Sequence, residues 1–153
     1  MKPGLKRALS IAFLLLFWCI FDYSQDQVYS TNPEKSAEVV DPWSYLKADG
    51  VYVLTDPTPF ATDEKTVGSV VWCHLHQLVS GEAYQEQLET MFEMGKLTIL
   101  DEGTEFRILA LNGQTFHTSV VIEELDSGHT FYFSPFEYLQ QSKRFSFPFR
   151  RIR

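Results

Sequence analysis

"KLTILDEGTEFRILALNGQTFHTSVVIEELDSGHTFYF", residues 96–133, decides the fold. Its apolar residues recur at every second position, the period of a half-buried strand. "KLTIL" reads as a short strand and "DEG" (101–103) as a turn. "TEFRILAL" puts Phe106, Ile108 and Ala110 on one face. Asn112-Gly113 is the strongest hairpin signal in the chain, because the favoured two-residue turn needs positive φ at both central positions. "QTFHTSVVIEEL" then aligns Phe116, Thr118, Val120 and Ile122, "DSG" (126–128) turns again, and "HTFYFS" places Phe131 with Phe133. The expectation is a mainly β fold built on a meander of three or four strands. A small barrel is the economical way to protect its edges.

Just upstream, "SGEAYQEQLETMFEMGK" predicts an inserted amphipathic helix over about residues 81–94. Tyr84, Leu88, Met91 and Phe92 recur at i, i+4, i+7 and i+8, Ser80 stands as N-cap, and Gly95 as the residue after the C-cap. Val67 to Val79 is rich in β-branched and aromatic residues and predicts one long strand or two bent ones. It contains "SVVWCHLHQL" (69–78), the chain's only Cys-His cluster. On a strand His74 and His76 share a face and Cys73 takes the other, so three ligands do not converge and no metal or other cofactor is expected. Cys73, among Val70, Val71, Trp72 and Leu75, is expected as a buried thiol and not as a nucleophile, which needs exposure and an electropositive setting. Val51 to Thr55 reads as a strand, and the pairs Asp56-Pro57 and Thr58-Pro59 predict a loop to about Thr66. "DPWSYL" (41–46) predicts a helical turn capped by Asp41 with Pro42 first, docking Trp43, Tyr45 and Leu46. "PFEYL" (135–139) predicts another.

Charge is unevenly spread. Residues 24–142 hold 5 Lys and Arg against 19 Asp and Glu, a net of −14, while residues 143–153 carry +5 and residues 1–23 carry +2. An acidic body argues against nucleic-acid binding, which needs a basic face. "KRFSFPFRRIR" (143–153) alternates Lys143, Arg144, Arg150, Arg151 and Arg153 with Phe145, Phe147, Phe149 and Ile152. The expectation is that the phenylalanines pack against the domain and the cations meet its negative field, with a lipid or partner contact as the alternative for the five basic residues. The chain has no "GxSxG", phosphate-binding glycine loop or "HExxH", and its paired acids fall at turns, so no enzyme is expected.

The N-terminus has the layout of an export signal. Lys2, Lys6 and Arg7 precede an apolar run from Ala8 to Phe21, which Asp22 ends. Bulky Phe17, Trp18, Ile20 and Phe21 fill the cleavage window, so residues 1–23 form either an uncleaved anchor helix or a cleaved signal. If uncleaved, residues 5–23 hold the membrane. The flanking charge then keeps residues 1–7 inside and puts the domain in the periplasm or outside. Trp18 stands where a lipobox has a small residue, which disfavours lipidation of Cys19. The expected order is signal or anchor (1–23), linker (24–48), domain (49–140) and basic-aromatic tail (141–153).

The segments "VYVLTDPTP", "KLTILDEGTEFRILALNGQTFHTSVVIEELDSGHTFYF" and "SPFEYL" together resemble bacterial SH3-like domains of the cell envelope. Those domains run a strand and a Pro/Gly loop into "G-T-x-(apolar)-x-(apolar)-L", a hairpin, a Gly turn and a closing aromatic segment. The resemblance covers about residues 50–139 and departs at 67–96, where the family has a short link. It implies an SH3-like barrel that binds a peptide, a cell-wall fragment or a protein. Rim aromatics serve such binding, and Trp43, Tyr45, Tyr52, Phe60, Tyr132 and Tyr138 are the candidates. The alternative is a small acidic inhibitor or immunity-type protein that neutralises a basic enzyme by charge.

Overall fold

A computed structural model describes residues 36–81, 83–113 and 117–153. The expected anchor or signal, most of the linker, and Phe116 lie outside the described residues. Those described all belong to one compact unit, Glu34–Arg153. That unit takes in segments that the sequence assigned to linker and tail.

In chain order the elements are β1 (Ala37–Val39), α1 (Pro42–Tyr45), β2 (Val51–Leu54), β3 (Thr58–Ala61), α2 (Glu64–Ser80), α3 (Gln85–Glu93) and β4 (Leu97–Leu100). They continue with β5 (Glu105–Asn112), β6 (Ser119–Glu124), β7 (Thr130–Phe133), a 3-10 turn (Pro135–Tyr138), β8 (Phe145–Phe147) and β9 (Phe149–Arg151). The fold is mainly β. Seven strands form one curled, half-barrel sheet in the order β4-β3-β7-β6-β5-β2-β9, and β1 pairs with β8 beside it. The expected meander is its centre: β5, β6 and β7 pair antiparallel in sequence, with Ile108 opposite Ile122 and Ile122 opposite Phe131.

Two details of that meander differ from the sequence reading. The β5–β6 loop is longer than a two-residue turn, since the ladder ends at Asn112 opposite Ser119. Gly113 sits at φ +85° just beyond it. The register also shifts between Ile108 and Ala110, a bulge at Leu109. The extra residue turns Ala110 off the core face and brings Leu111 onto it.

The largest correction concerns 67–79, expected as a strand and found as the body of helix α2. Its start is specified locally. The Asp63 side chain accepts from the Thr66 amide at 3.0 Å, and Glu64 occupies the first turn, where the helix dipole favours a carboxylate. Val67, Val70, Val71 and Leu75 then recur on one face and pack with Ala61 and Leu97. That packing overrides the β-branched content, whose helical penalty is only tenths of a kcal/mol per residue. Ser80 therefore ends α2 instead of capping α3, and Gly81 at φ +69° closes it. The second helix is shorter than expected, with no side-chain N-cap at Tyr84.

The predicted loop after Asp56 is also corrected, for Thr58–Ala61 is strand β3 despite Pro59. β3 pairs along its length with β4 but with β7 only at Ala61, so one flank does not need a full set of amide donors.

Adjacent strand residues point to opposite faces, and this separates two cores. Tyr52, Phe60, Phe106, Ile122 and Phe133 lie in the larger one with Leu46, Phe147 and Phe149. Its rings pack edge to face or stacked, as in Phe106–Phe149 at 5.2 Å and Phe147–Phe149 at 5.0 Å. Ala61 and Tyr132 belong to the smaller core under α2 and α3, on the reverse face of the β4-β3-β7 corner.

Candidate functional site

Most of the aromatic residues proposed from sequence turn inward. Tyr52 and Phe60 are 0% and 1% exposed and cannot meet a ligand at a rim. Their rings lie in the larger core, Tyr52 on Phe106 and Phe60 against Phe106 and Phe133, which period alone does not reveal. Tyr45 stacks on Phe147 at 5.5 Å, and its hydroxyl donates to the Phe149 carbonyl at 3.0 Å. Burial pushes its pKa up. Tyr138 sits among Phe133, Phe147 and Phe149, and burial followed by the Glu137 charge raises its pKa far above the ordinary phenol value. Tyr132 packs beneath the helical pair. Trp43, on α1, is half-buried.

The basic residues lie along the outer side of the last strands. Arg144 approaches Glu38 at 3.8 Å and Arg153 approaches Glu105 at 3.5 Å. Arg151 Nε donates to the Arg153 carbonyl at 3.0 Å. Arg150 and Lys143 are exposed. Phe145, Phe147 and Phe149 are buried, so the segment is integral to the domain and its cations meet the domain's own acids.

The Cys-His cluster divides three ways because successive helical residues are about 100° apart. Cys73 is buried against α3, with Sγ 3.1 Å from Gln87 Oε1, and burial raises the thiol pKa. His74 Nε2 lies 2.8 Å from the Leu139 carbonyl oxygen, an acceptor, so Nε2 carries the proton and donates. Burial lowers the His74 pKa, outweighing that bond. His76 points outward, with Nδ1 2.8 Å from the Trp72 carbonyl. Among the described residues no three His, Cys, Asp or Glu groups are placed to hold a metal.

A small cavity of about 170 Å³ at the start of α2 is lined by Glu64, His117 and Ser119, among others. It has room for a few waters. Ser119, on β6, donates its hydroxyl to Glu64 Oε1 and is nearly buried, so that oxygen is engaged in holding α2 to the sheet.

Among the described residues, the ring cluster around the exposed Trp72 was not among the sequence candidates. The Trp72 indole is 44% exposed and lies over the His76 ring at a centroid distance of 4.0 Å. Tyr84 meets both rings, at 5.1 Å from Trp72 and 5.7 Å from His76. Val79, one turn beyond His76 and seven residues from Trp72, is 89% exposed. Beside them a groove of about 260 Å³ runs between α2 and α3, lined by Ser69, Gln87, Thr90 and Met91. Met94, at the end of α3, is 66% exposed. The signal that finds this face is Asp63-x-x-Thr66 followed by Val67, Val71 and Leu75. Read as a helix start, it places Trp72, His76 and Val79 on the outer side.

No family model, curated protein or solved structure matches the chain.

Proposed function

We propose that this protein is a non-catalytic binding module that recognises a protein or peptide through the outer face of α2 and α3. The observation that carries the reading is the Trp72–His76–Tyr84 cluster, in which Trp72 and His76 are exposed, whereas the other described Phe, Tyr and Trp rings are buried or partly buried. Trp and Tyr supply much contact area at little entropic cost and dominate binding hot spots. The curled sheet is the SH3-like element of the proposal, and the smaller core of Ala61, Val67, Val71 and Leu97 seats the helices on it. The sequence of residues 1–23 supports delivery to the bacterial envelope, as a tethered periplasmic domain or an exported one. Among the described residues, no helix is long and apolar enough to cross a membrane.

A photo-crosslinking side chain substituted at position 72 of the full chain tests the reading in cells. A discrete adduct is expected from position 72, none from position 130 on the β6–β7 side, and loss of the adduct on Tyr84→Ala. Equal adducts from both positions, or none from position 72, would overturn it.

A further inference from the structure

On the α3 side the face carrying Trp72 is bordered by acidic charge, while the exposed Lys65 lies two turns before Trp72 on α2. Helix α3, "QEQLETMFE", has three glutamates and no cation. Glu86, Glu89 and Glu93 are spaced i, i+3 and i+7 on one side of the helix, with Glu86 and Glu93 exposed and Glu89 partly buried. None of the three is ion-paired among the described residues, although Lys96, just beyond the helix, is engaged by Asp63 at 2.9 Å. Glu89 responds to this crowding: partial burial, then the charges of Glu93 and Glu86, raise its pKa. On a helical wheel Gln87, Met91 and Met94 face the groove side, Thr90 lies next to them, and Glu86 and Glu93 follow. The groove side of α3 thus borders Glu86 and Glu93, and Tyr84, just before the helix, meets the Trp72 indole at 5.1 Å.

We infer that the partner contacts this surface with a basic amphipathic segment, placing an apolar side chain in the α2–α3 groove beside Trp72 and Lys or Arg side chains on Glu86, Glu89 and Glu93. The inference rests on the binding role proposed above and adds the partner's chemistry. Each half of the surface calls for its complement. The unneutralised carboxylates repel one another in the free protein, so a cationic partner relieves a cost as well as gaining attraction. A neutral apolar partner would leave the charges unpaired at its rim, and an anionic polymer would be repelled by them.

The probe is a short Leu/Lys peptide with leucines at i, i+3 and i+4 spacing, titrated into the full chain by fluorescence anisotropy. A Leu/Glu counterpart and a scrambled Leu/Lys sequence are the comparisons. The patterned cationic peptide is expected to bind, more weakly as salt rises. The triple variant Glu86→Gln, Glu89→Gln, Glu93→Gln should weaken it at least about tenfold and flatten the salt dependence. Trp72→Ala should weaken it about fivefold or more while leaving the salt dependence in place. A triple variant of equal charge change elsewhere, Asp101→Asn, Glu102→Gln and Asp126→Asn, should bind as the parent does. Equal loss in both triple variants would show attraction to net charge alone and overturn the inference. So would binding of the Leu/Glu peptide, or no preference for the patterned over the scrambled sequence. A discrete adduct from position 72 whose yield ignores salt and the Glu-to-Gln changes would leave the binding role standing and remove the basic partner.

Discussion

Glu137 shows how one buried group writes a pH dependence into the fold. It is the third residue of the 3-10 turn, and its carboxylate accepts from the Ser134 amide at 2.7 Å while Ser134 caps the turn in return. The residue keeps some exposed surface but its carboxyl is buried, and burial raises the pKa to about 8, against the smaller opposing effect of the Ser134 bond. The folded state therefore holds a proton that the unfolded chain releases near pH 4.5. That contribution to stability is fully present below the unfolded pKa and is lost as pH rises to about 8. Glu137→Gln keeps an oxygen for the amide and has no charge to bury. Its stability relative to the parent should rise by about 1–3 kcal/mol between pH 5 and pH 8, read from urea midpoints at each pH. A constant difference across that range would mean the parent carboxylate is solvated. His74 titrates with the opposite consequence, because its lowered pKa favours folding above the unfolded value and costs stability below it. Comparing Glu137→Gln with the parent cancels that background.

At the scale of elements, β9 shows alternation holding a segment in place. Phe149 is buried among Tyr52, Phe106 and Phe133, whereas Arg150 points outward from the same strand. β9 is an edge of the seven-stranded sheet, and exposed cations on an edge discourage pairing with another chain. Phe149→Ala should cost about 3–5 kcal/mol of unfolding free energy, and Arg150→Ala less than about 0.5 kcal/mol. Chemical denaturation of both variants checks this. Similar costs at the two positions would mean that the strand does not hold its inward and outward faces as described. The same alternation, visible in residues 145–149, is why the packing of this segment could be read from sequence. For α2 the local reading pointed the wrong way. Valines and aromatics in a run carry strand propensity, but one Asp63 cap and a face of Val67, Val71 and Leu75 outweigh it once Ala61 and Leu97 lie beneath.

Across the whole molecule the two cores are unequal. The larger one contains a continuous network of buried rings, while α3 buries no residue fully and rests on Leu88, Met91 and Phe92 at the edge of the smaller one. Local opening follows buried apolar contact, so α3 should open well before the sheet. Hydrogen exchange of α3 amides is expected at an opening free energy at least about 2 kcal/mol below that of β5 and β6. Equal protection would mean that the helical pair and sheet open as one unit. A surface that opens easily and carries unpaired charge is also the surface proposed for the partner, so binding should raise α3 protection first.

Sequence by itself determined the features whose cause is local. The β5–β6–β7 meander follows from period-two patterning. The α1 turn follows from Asp41 and Pro42, and the chain reversals at 101–103 and 126–128 use Gly103 and Gly128 at positive φ. Tertiary structure alone decided the features whose cause is distant. Thr58–Ala61 became a strand because β4 offered it a ladder, and the bulge at Leu109 exchanged Ala110 for Leu111 on the core face. Residues 64–80 became a helix with a sheet corner to pack against. That last choice moved the exposed aromatic surface from the expected barrel rim to Trp72, His76 and Tyr84. Burial depends on what lies opposite a residue in space, and neither its type nor its period carries that information.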